Sequence, residues 1–255
     1  ELGGKSPVVV GKNAKIKDTA QRVMQGKTMN AGQICLAPDY ALVPEEKVEE
    51  FVKASVEVTS EMYPNMKDND DFTSIINQRH FDRIQGYIED AKEKGAEVVE
   101  INPSNEDFNQ QPHHKIPPTI VLNPSDDMKI MQEEIFGPVL PVKTYKEVNE
   151  PVNYINSKDR PLGLYYFGED NTEKEFVLGN TTSGGVTVND VISHIQMEDL
   201  PFGGVGPSGM GSYHGYDGFK EFSHAKAVYK QSKLNLMKLA GLVPPYKKKE
   251  DKTPA

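Results

Sequence analysis

A chain of 255 residues with 36% apolar residues, 8% aromatics and no tryptophan has material for one large domain or two small ones. Its formal net charge of −9 argues against a nucleic-acid partner, because phosphate recognition asks for a cationic surface. One cysteine leaves no internal disulfide and makes a reducing cytoplasm the simplest compartment; no secretory signal is visible, and the longest apolar-leaning stretch, "LNLMKLAGLVPP" (234–245), is too short and too lysine-bearing to span a bilayer.

The chain opens on Glu1 and enters a strand-like run, "SPVVV" (6–10), at once, so it reads as an excised fragment. Residues 18–32 follow as a helix, with Asp18 and Gln21 at capping-box spacing and Ala20, Val23 and Met24 inward. "YALV" (40–43) is a strand, and Pro44 with Glu45 and Glu46 opens a helix whose apolar face carries Val48, Phe51, Val52 and Val56. From about Arg79 another helix aligns Phe81, Ile84, Ile88 and Ala91, with Gly95 as its stop, and "AEVVEI" (96–101) is a strand. After a polar loop over 102–116 come strands at 118–122, 138–145, 162–168 and 184–190, with helical stretches at 146–157 and 172–180 between them. Strands alternating with helices predict an α/β fold built on a largely parallel sheet flanked by helices.

After Leu200 the run "PFGGVGPSGMGSYHGYDG" carries glycine at 203, 204, 206, 209, 211, 215 and 218, which suits a crossing segment packed close to something else. Gly204, Gly206 and Gly209 spell a G-x-G-x-x-G match, but Pro207 removes an amide donor and no clean βαβ unit surrounds it, so a dinucleotide turn is not expected there. The Lys247–Lys249 triplet reads as part of a flexible, solvated tail over 241–255.

The lone cysteine, Cys35, lies in "NAGQICLAP" (30–38) beside a glycine and two amides. A thiol nucleophile needs a lowered pKa or a nearby base, small neighbours for substrate approach, and backbone N–H groups that can face an oxyanion. Alone, one cysteine is more often an inert buried thiol. Glu1, beside "LGG", is the carboxylate that would serve as base, against the plainer reading of a solvated terminal residue. His113, His114 and His224 lack a metal-ligand constellation, so no metal is invoked.

"ELGGKSPVVV", "NAGQICLAPDY", "QEEIFGPVLPV" and "LPFGGVGPSGMGSYHGYDGFKEFSHAKAV" stand in the order found in the aldehyde dehydrogenase superfamily. The last wording resembles the class 3 branch and, within it, the bacterial coniferyl aldehyde dehydrogenases. The resemblance covers nearly all of the chain and implies an NAD- or NADP-dependent oxidation of an aldehyde, aromatic or medium- to long-chain, to the acid. It makes Cys35 the nucleophile, by way of a thiohemiacetal and a thioester, and Glu1 the general base. Glu134 and Phe136 match residues that hold the nicotinamide ribose and flank the ring, and the backbone of Leu2 and Gly3 would approach the same ring. His80 and Arg83 begin a helix that lies near the cofactor in the family, Asn30 holds a supporting position, and a loop over Ile192–Met197 would close one end of the substrate tunnel.

By the same resemblance, residues 1–200 form the catalytic domain and 201–240 the crossing segment and an oligomerisation strand, "FSHAKAVYKQ". The Rossmann-type domain and the side-chain amide of the oxyanion site are expected upstream and absent here. A small-molecule aldehyde as partner, a homodimer, no membrane and negligible turnover by this chain alone complete the expectations. The alternatives are a thioester-forming acylating or semialdehyde dehydrogenase and a non-catalytic oligomerising protein.

Overall fold

Short β-branched and aromatic runs become the strands β1 Pro7–Val10, β2 Tyr40–Pro44, β3 Glu97–Glu100, β4 Thr119–Leu122, β5 Val139–Tyr145, β6 Gly163–Phe167 and β7 Gly185–Val188. They form a 7-stranded sheet in the order β3-β4-β5-β2-β1-β6-β7, in the computed structural model that describes residues 1–109 and 111–246. Every pairing is parallel except β3 with β4. β3 is an edge strand whose end residues Glu97 and Glu100 are exposed, charges that discourage further pairing.

The helices are α1 Ile16–Thr28, α2 Val48–Met62, α3 Gln78–Glu93, α4 Lys129–Gln132, α5 Asn149–Asn156, α6 Asn171–Gly179 and α7 Gly215–Glu221. A parallel sheet must be covered on both faces, and β1 shows how the sequence meets that demand. Val8 and Val10 enter a core shared with Ala20, Val23 and Met24 of α1 and Phe51 and Val58 of α2. Val9, pointing the other way, joins Ile84, Tyr87 and Ile88 of α3, Val152 and Ile155 of α5 and Val177 of α6. Each such side chain, fully buried, contributes about 1.5–3 kcal/mol.

Several boundaries differ from expectation. α1 starts at Ile16, its N-cap Lys15 makes no side-chain cap bond, and Asp18 lies in the first turn, where its charge meets the helix dipole. The helix stops at Thr28 because Asn30, Ala31 and Gly32 take left-handed backbone angles. Pro44 opens a 3₁₀ turn, Glu45–Lys47, before α2, and α2 buries Phe51, Ala54, Ser55, Val58 and Thr59 while Val48, Val52 and Val56 stay half-buried. α4 was not legible as a helix: it is a single turn. Asn77 caps α3, accepting from the His80 N–H at 3.0 Å.

The chain divides into two compact units, Glu1–Glu221 and Phe222–Ala255. The second holds the short helix α8, Leu236–Leu239, and no strand among the described residues, so the strand expected over 222–231 is not formed; a strand needs a partner ladder to satisfy its N–H and C=O groups. Lys247–Lys249 lie outside the described residues. Among the described residues no helix is long and apolar enough to cross a membrane.

Candidate active site

Three of the quoted motifs end just before strands: "ELGGKS" before β1, "NAGQICLAPD" before β2 and "QEEIFGP" before β5. Because β5, β2 and β1 are adjacent and parallel, their amino ends lie on one edge of the sheet, and the three loops meet there. Open α/β sheets more usually place ligands at the carboxyl ends of their strands.

Cys35 sits at the second position of a turn closed by the Ala37 N–H on the Ile34 carbonyl at 2.9 Å. The loop before it is fixed by its own amides: Asn30 Nδ2 donates to the Gln33 carbonyl at 3.2 Å, and Gln33 Nε2 returns a bond to the Asn30 carbonyl at 3.0 Å. Gln33 also ties the loop to residues 74–76, donating to the Ser74 carbonyl and accepting from the Ile76 N–H. Gly32 is required by contact as well as by angle. Its φ is +74°, and a Cβ there would stand 2.3 Å from the Gly137 carbonyl oxygen, so the thiol loop and the "EEIFGP" loop touch backbone to backbone.

The half-buried Cys35 Sγ donates to Glu1 Oε1 at 2.9 Å. Burial, followed by the hydrogen bond and charge of Glu1, pushes the thiol up to about 12, while its own backbone N–H works the other way. The resting proton therefore sits on sulfur. The other oxygen of Glu1, Oε2, accepts from the Tyr213 hydroxyl at 3.0 Å.

Glu134 is half-buried and accepts the Gly4 N–H at 3.2 Å; burial, the largest influence, raises its carboxyl above the ordinary glutamate range. An added Cβ at Gly3 would meet Glu134 Oε2 at 3.0 Å, so Gly3 lies on that carboxylate, whereas the Leu2 side chain is exposed. Phe136, at φ +49°, presents its ring to solvent two residues on. Arg83 holds this loop by its backbone, donating to the Glu134 carbonyl at 3.3 Å and the Ile135 carbonyl at 2.8 Å. His80 stands behind it, accepting from Arg83 Nε at 3.3 Å. Ile192 is buried in the core that Cys35 packs against, and Ser193–Gln196 form a 3₁₀ turn.

Sequence reasoning missed a charged cluster that ties these loops together. Lys5 pairs with Asp39 and donates to the carbonyls of Ile130 and Glu133 at 2.8 Å, and Asp39 Oδ2 accepts the Ile135 N–H at 3.0 Å. Lys27 is buried beside them, and burial lowers its ammonium to about 8 against the opposing pull of Asp39. The signal was present: Lys27 continues the inward series Ile16, Ala20, Val23 and Met24 of α1. Tyr213 was missed as well, since its residue type carries no signal within a glycine-rich run.

The profile described as "Aldehyde dehydrogenase family" matches residues 1–228. The chain is 62% identical over 246 residues to a probable coniferyl aldehyde dehydrogenase of Caulobacter vibrioides, covering 96% of this chain and 51% of the relative. It is 54% identical to the coniferyl aldehyde dehydrogenase of Pseudomonas sp. strain HR199, covering 96% and 51%. The solved substrate-bound state of Staphylococcus aureus AldH superposes with a TM-score of 0.83 at 37% identity, over 92% of this chain and 50% of that one. The chain thus spans about half the length of the curated relatives it matches.

Proposed function

Because the chain belongs to the aldehyde dehydrogenase family, we propose that its site serves the NAD- or NADP-dependent oxidation of an aldehyde to a carboxylic acid, with Cys35 as nucleophile and Glu1 as general base. The observation that carries the reading is the 2.9 Å contact between Cys35 Sγ and Glu1 Oε1. With the thiol pushed up to about 12, fewer than about one sulfur in ten thousand is thiolate at neutral pH. Addition to a carbonyl then requires the proton to leave as the bond forms, and in this reading Glu1 Oε1 accepts it. Cys35 holds the substrate as a thiohemiacetal and, once oxidised, as a thioester. The exposed Glu1 returns its proton to solvent and then takes one from water as that water attacks the thioester. The tetrahedral adduct expels sulfur, which recovers a proton, and the acid is released. A base beside the thiol favours water as acyl acceptor over an acylating or semialdehyde dehydrogenase.

The residues present fit a nicotinamide riboside: Phe136 offers an exposed aromatic face and Glu134 a half-buried carboxylate that can accept from ribose hydroxyls. The bound dinucleotide supplies the hydride acceptor. Glu134 would hold the ribose, Phe136 would flank the ring, and Leu2 and Gly3 would wall it.

The names of the relatives support an aromatic substrate such as coniferyl aldehyde. A homodimer is the assembly we infer for a protein of the relatives' full length. The cytoplasm is retained as the compartment. The test is formation of reduced nicotinamide from coniferyl aldehyde, by this chain and by a protein of the relatives' full length, each with and without Cys35→Ala. Turnover that survives Cys35→Ala overturns the reading.

A further inference from the structure

The glycine-rich segment 201–214 folds over the first residues of the chain. Phe202 and Tyr213 exchange backbone hydrogen bonds at 2.9 and 2.8 Å, closing residues 203–212 into a loop. That loop is anchored on the Glu1–Leu2 backbone: the Leu2 N–H donates to the Ser208 carbonyl at 2.8 Å. A Cβ at Gly209 would stand a tight 3.2 Å from the Glu1 nitrogen, and its φ of +142° is one that side-chain-bearing residues rarely adopt, so glycine suits this close approach of the two backbones. The Tyr213 ring is braced edge-on by Phe202 and His214, with centroids 5.4 and 4.9 Å away. Its hydroxyl ends 3.0 Å from Glu1 Oε2.

Glu1 itself is exposed. Among the described residues its carboxylate has two side-chain partners, one per oxygen: the Cys35 thiol and the Tyr213 hydroxyl. A solvent-facing glutamate held only by a weak S–H donor would swing among its rotamers, at a side-chain entropy gain of up to ~2 kcal/mol. We propose that Tyr213 is the positioning residue of this site, its hydroxyl holding Oε2 so that Oε1 stays on the Cys35 sulfur, and that the glycine-rich crossing segment exists to place that hydroxyl. The inference rests on the pairing of Cys35 with Glu1. Tyr213 touches neither the sulfur nor the reacting carbonyl; it acts through Glu1.

The lone cysteine makes a direct test in the 255-residue chain, without cofactor. The rate of Cys35 alkylation by iodoacetamide is followed by mass from neutral to alkaline pH, for the parent, Glu1→Gln, Tyr213→Phe and the double variant. Glu1 and Glu134 are the carboxylates that face the thiol and raise it, after burial itself. Iodoacetamide reacts with thiolate already formed, so alkylation reads the thiolate fraction and not base assistance during attack. Glu1→Gln should therefore speed it at pH 8, a tenfold larger thiolate fraction giving about a tenfold faster rate. Tyr213→Phe keeps the braced ring and loses the hydroxyl. It should speed alkylation by roughly threefold to thirtyfold, as Glu1 swings off the sulfur, and should change nothing in the Glu1→Gln background. Tyr213→Leu, a second variant without the hydroxyl, should move the same way.

An unchanged or slower rate in Tyr213→Phe, with Glu1→Gln faster, overturns the positioning role and leaves the pairing intact. An equal effect of Tyr213→Phe in both backgrounds also overturns it, because the hydroxyl would then act without Glu1. If Glu1→Gln leaves the rate unchanged, the pairing itself is wrong and the proposal falls with it.

Discussion

Gly32→Ala tests the contact on which the site's geometry depends. The added methyl would lie 2.3 Å from the Gly137 oxygen, 2.6 Å from its carbon and 3.0 Å from the Lys27 oxygen, all main-chain atoms that no rotamer change can move aside. Holding alanine in the left-handed region costs about 1–2 kcal/mol. Parting the two loops enough to relieve the overlap costs about 1–3 kcal/mol more. The sum, about 2–5 kcal/mol, corresponds to a melting midpoint lowered by roughly 5–15 °C for a domain of this size. Gly86 is the internal control: it lies inside α3 with nothing within 4 Å of an added Cβ. Gly86→Ala should gain about 0.5–1 kcal/mol by helix propensity and raise the midpoint by ~1–4 °C. Thermal unfolding by circular dichroism reads both variants, and Cys35 alkylation reports whether the thiol loop has moved in Gly32→Ala. A Gly32→Ala midpoint within about 1 °C of the parent would refute the claim that the loops are locked backbone to backbone.

In a protein of the relatives' full length, Glu1→Gln should slow thioester hydrolysis more than acylation, by roughly 10²–10⁴; a burst of reduced nicotinamide followed by a stall shows it, and equal slowing of both steps contradicts the water-activating role. His194 is buried, its Nδ1 shares a 2.7 Å hydrogen bond with Thr187 Oγ1, and burial lowers its pKa below the ordinary imidazole value of 6.5. Its neutral form therefore contributes stability fully above that value and loses it as pH falls through the depressed folded value; the parent should lose melting midpoint between pH 7 and about 5 more steeply than His194→Gln. Burial works against the charge of Asp126, yet bonds from Lys158, Lys143 and Tyr154 bring its carboxyl down to about 2. That stability is present above the ordinary aspartate range near 4 and is lost as pH falls towards 2, so Asp126→Asn should lower the midpoint at pH 7 and match the parent near pH 2. The side chain is 47% exposed, which screens the pair and limits the effect to about 1 kcal/mol.

The alternation of strands and helices, and with it the parallel sheet, was legible because its signals are local: β-branched runs, apolar spacing, a proline at a helix entrance. The end of α1 was misplaced because Asn30 and Ala31 both take left-handed angles, a conformation that asparagine tolerates and that nothing in the sequence signals for alanine. In the site, Cys35 and Glu1 stood out through motif wording, and their proximity follows from β1 and β2 being neighbours. Lys27 was readable as a lysine on an apolar face but was passed over. The pairing of Lys5 with Asp39 spans the same 34 residues as Glu1 and Cys35 but carries no motif wording for an ion pair, whereas the hydroxyl of Tyr213 was not readable because its partner lies 212 residues away.

That difference in distance bears on the order in which the site can assemble. Glu1 and Cys35 are 34 residues apart and come together when one strand–helix–strand crossover forms, whereas Tyr213 reaches Glu1 across 212 residues. On loop-closure entropy alone the longer contact costs about 1.6 kcal/mol more to form. The thiol–carboxylate pair is a short-range product of folding and its anchor a long-range one. Whatever delays the docking of residues 201–214 leaves a molecule whose thiol has met the Glu1 carboxylate before the Tyr213 hydroxyl reaches that carboxylate's other oxygen.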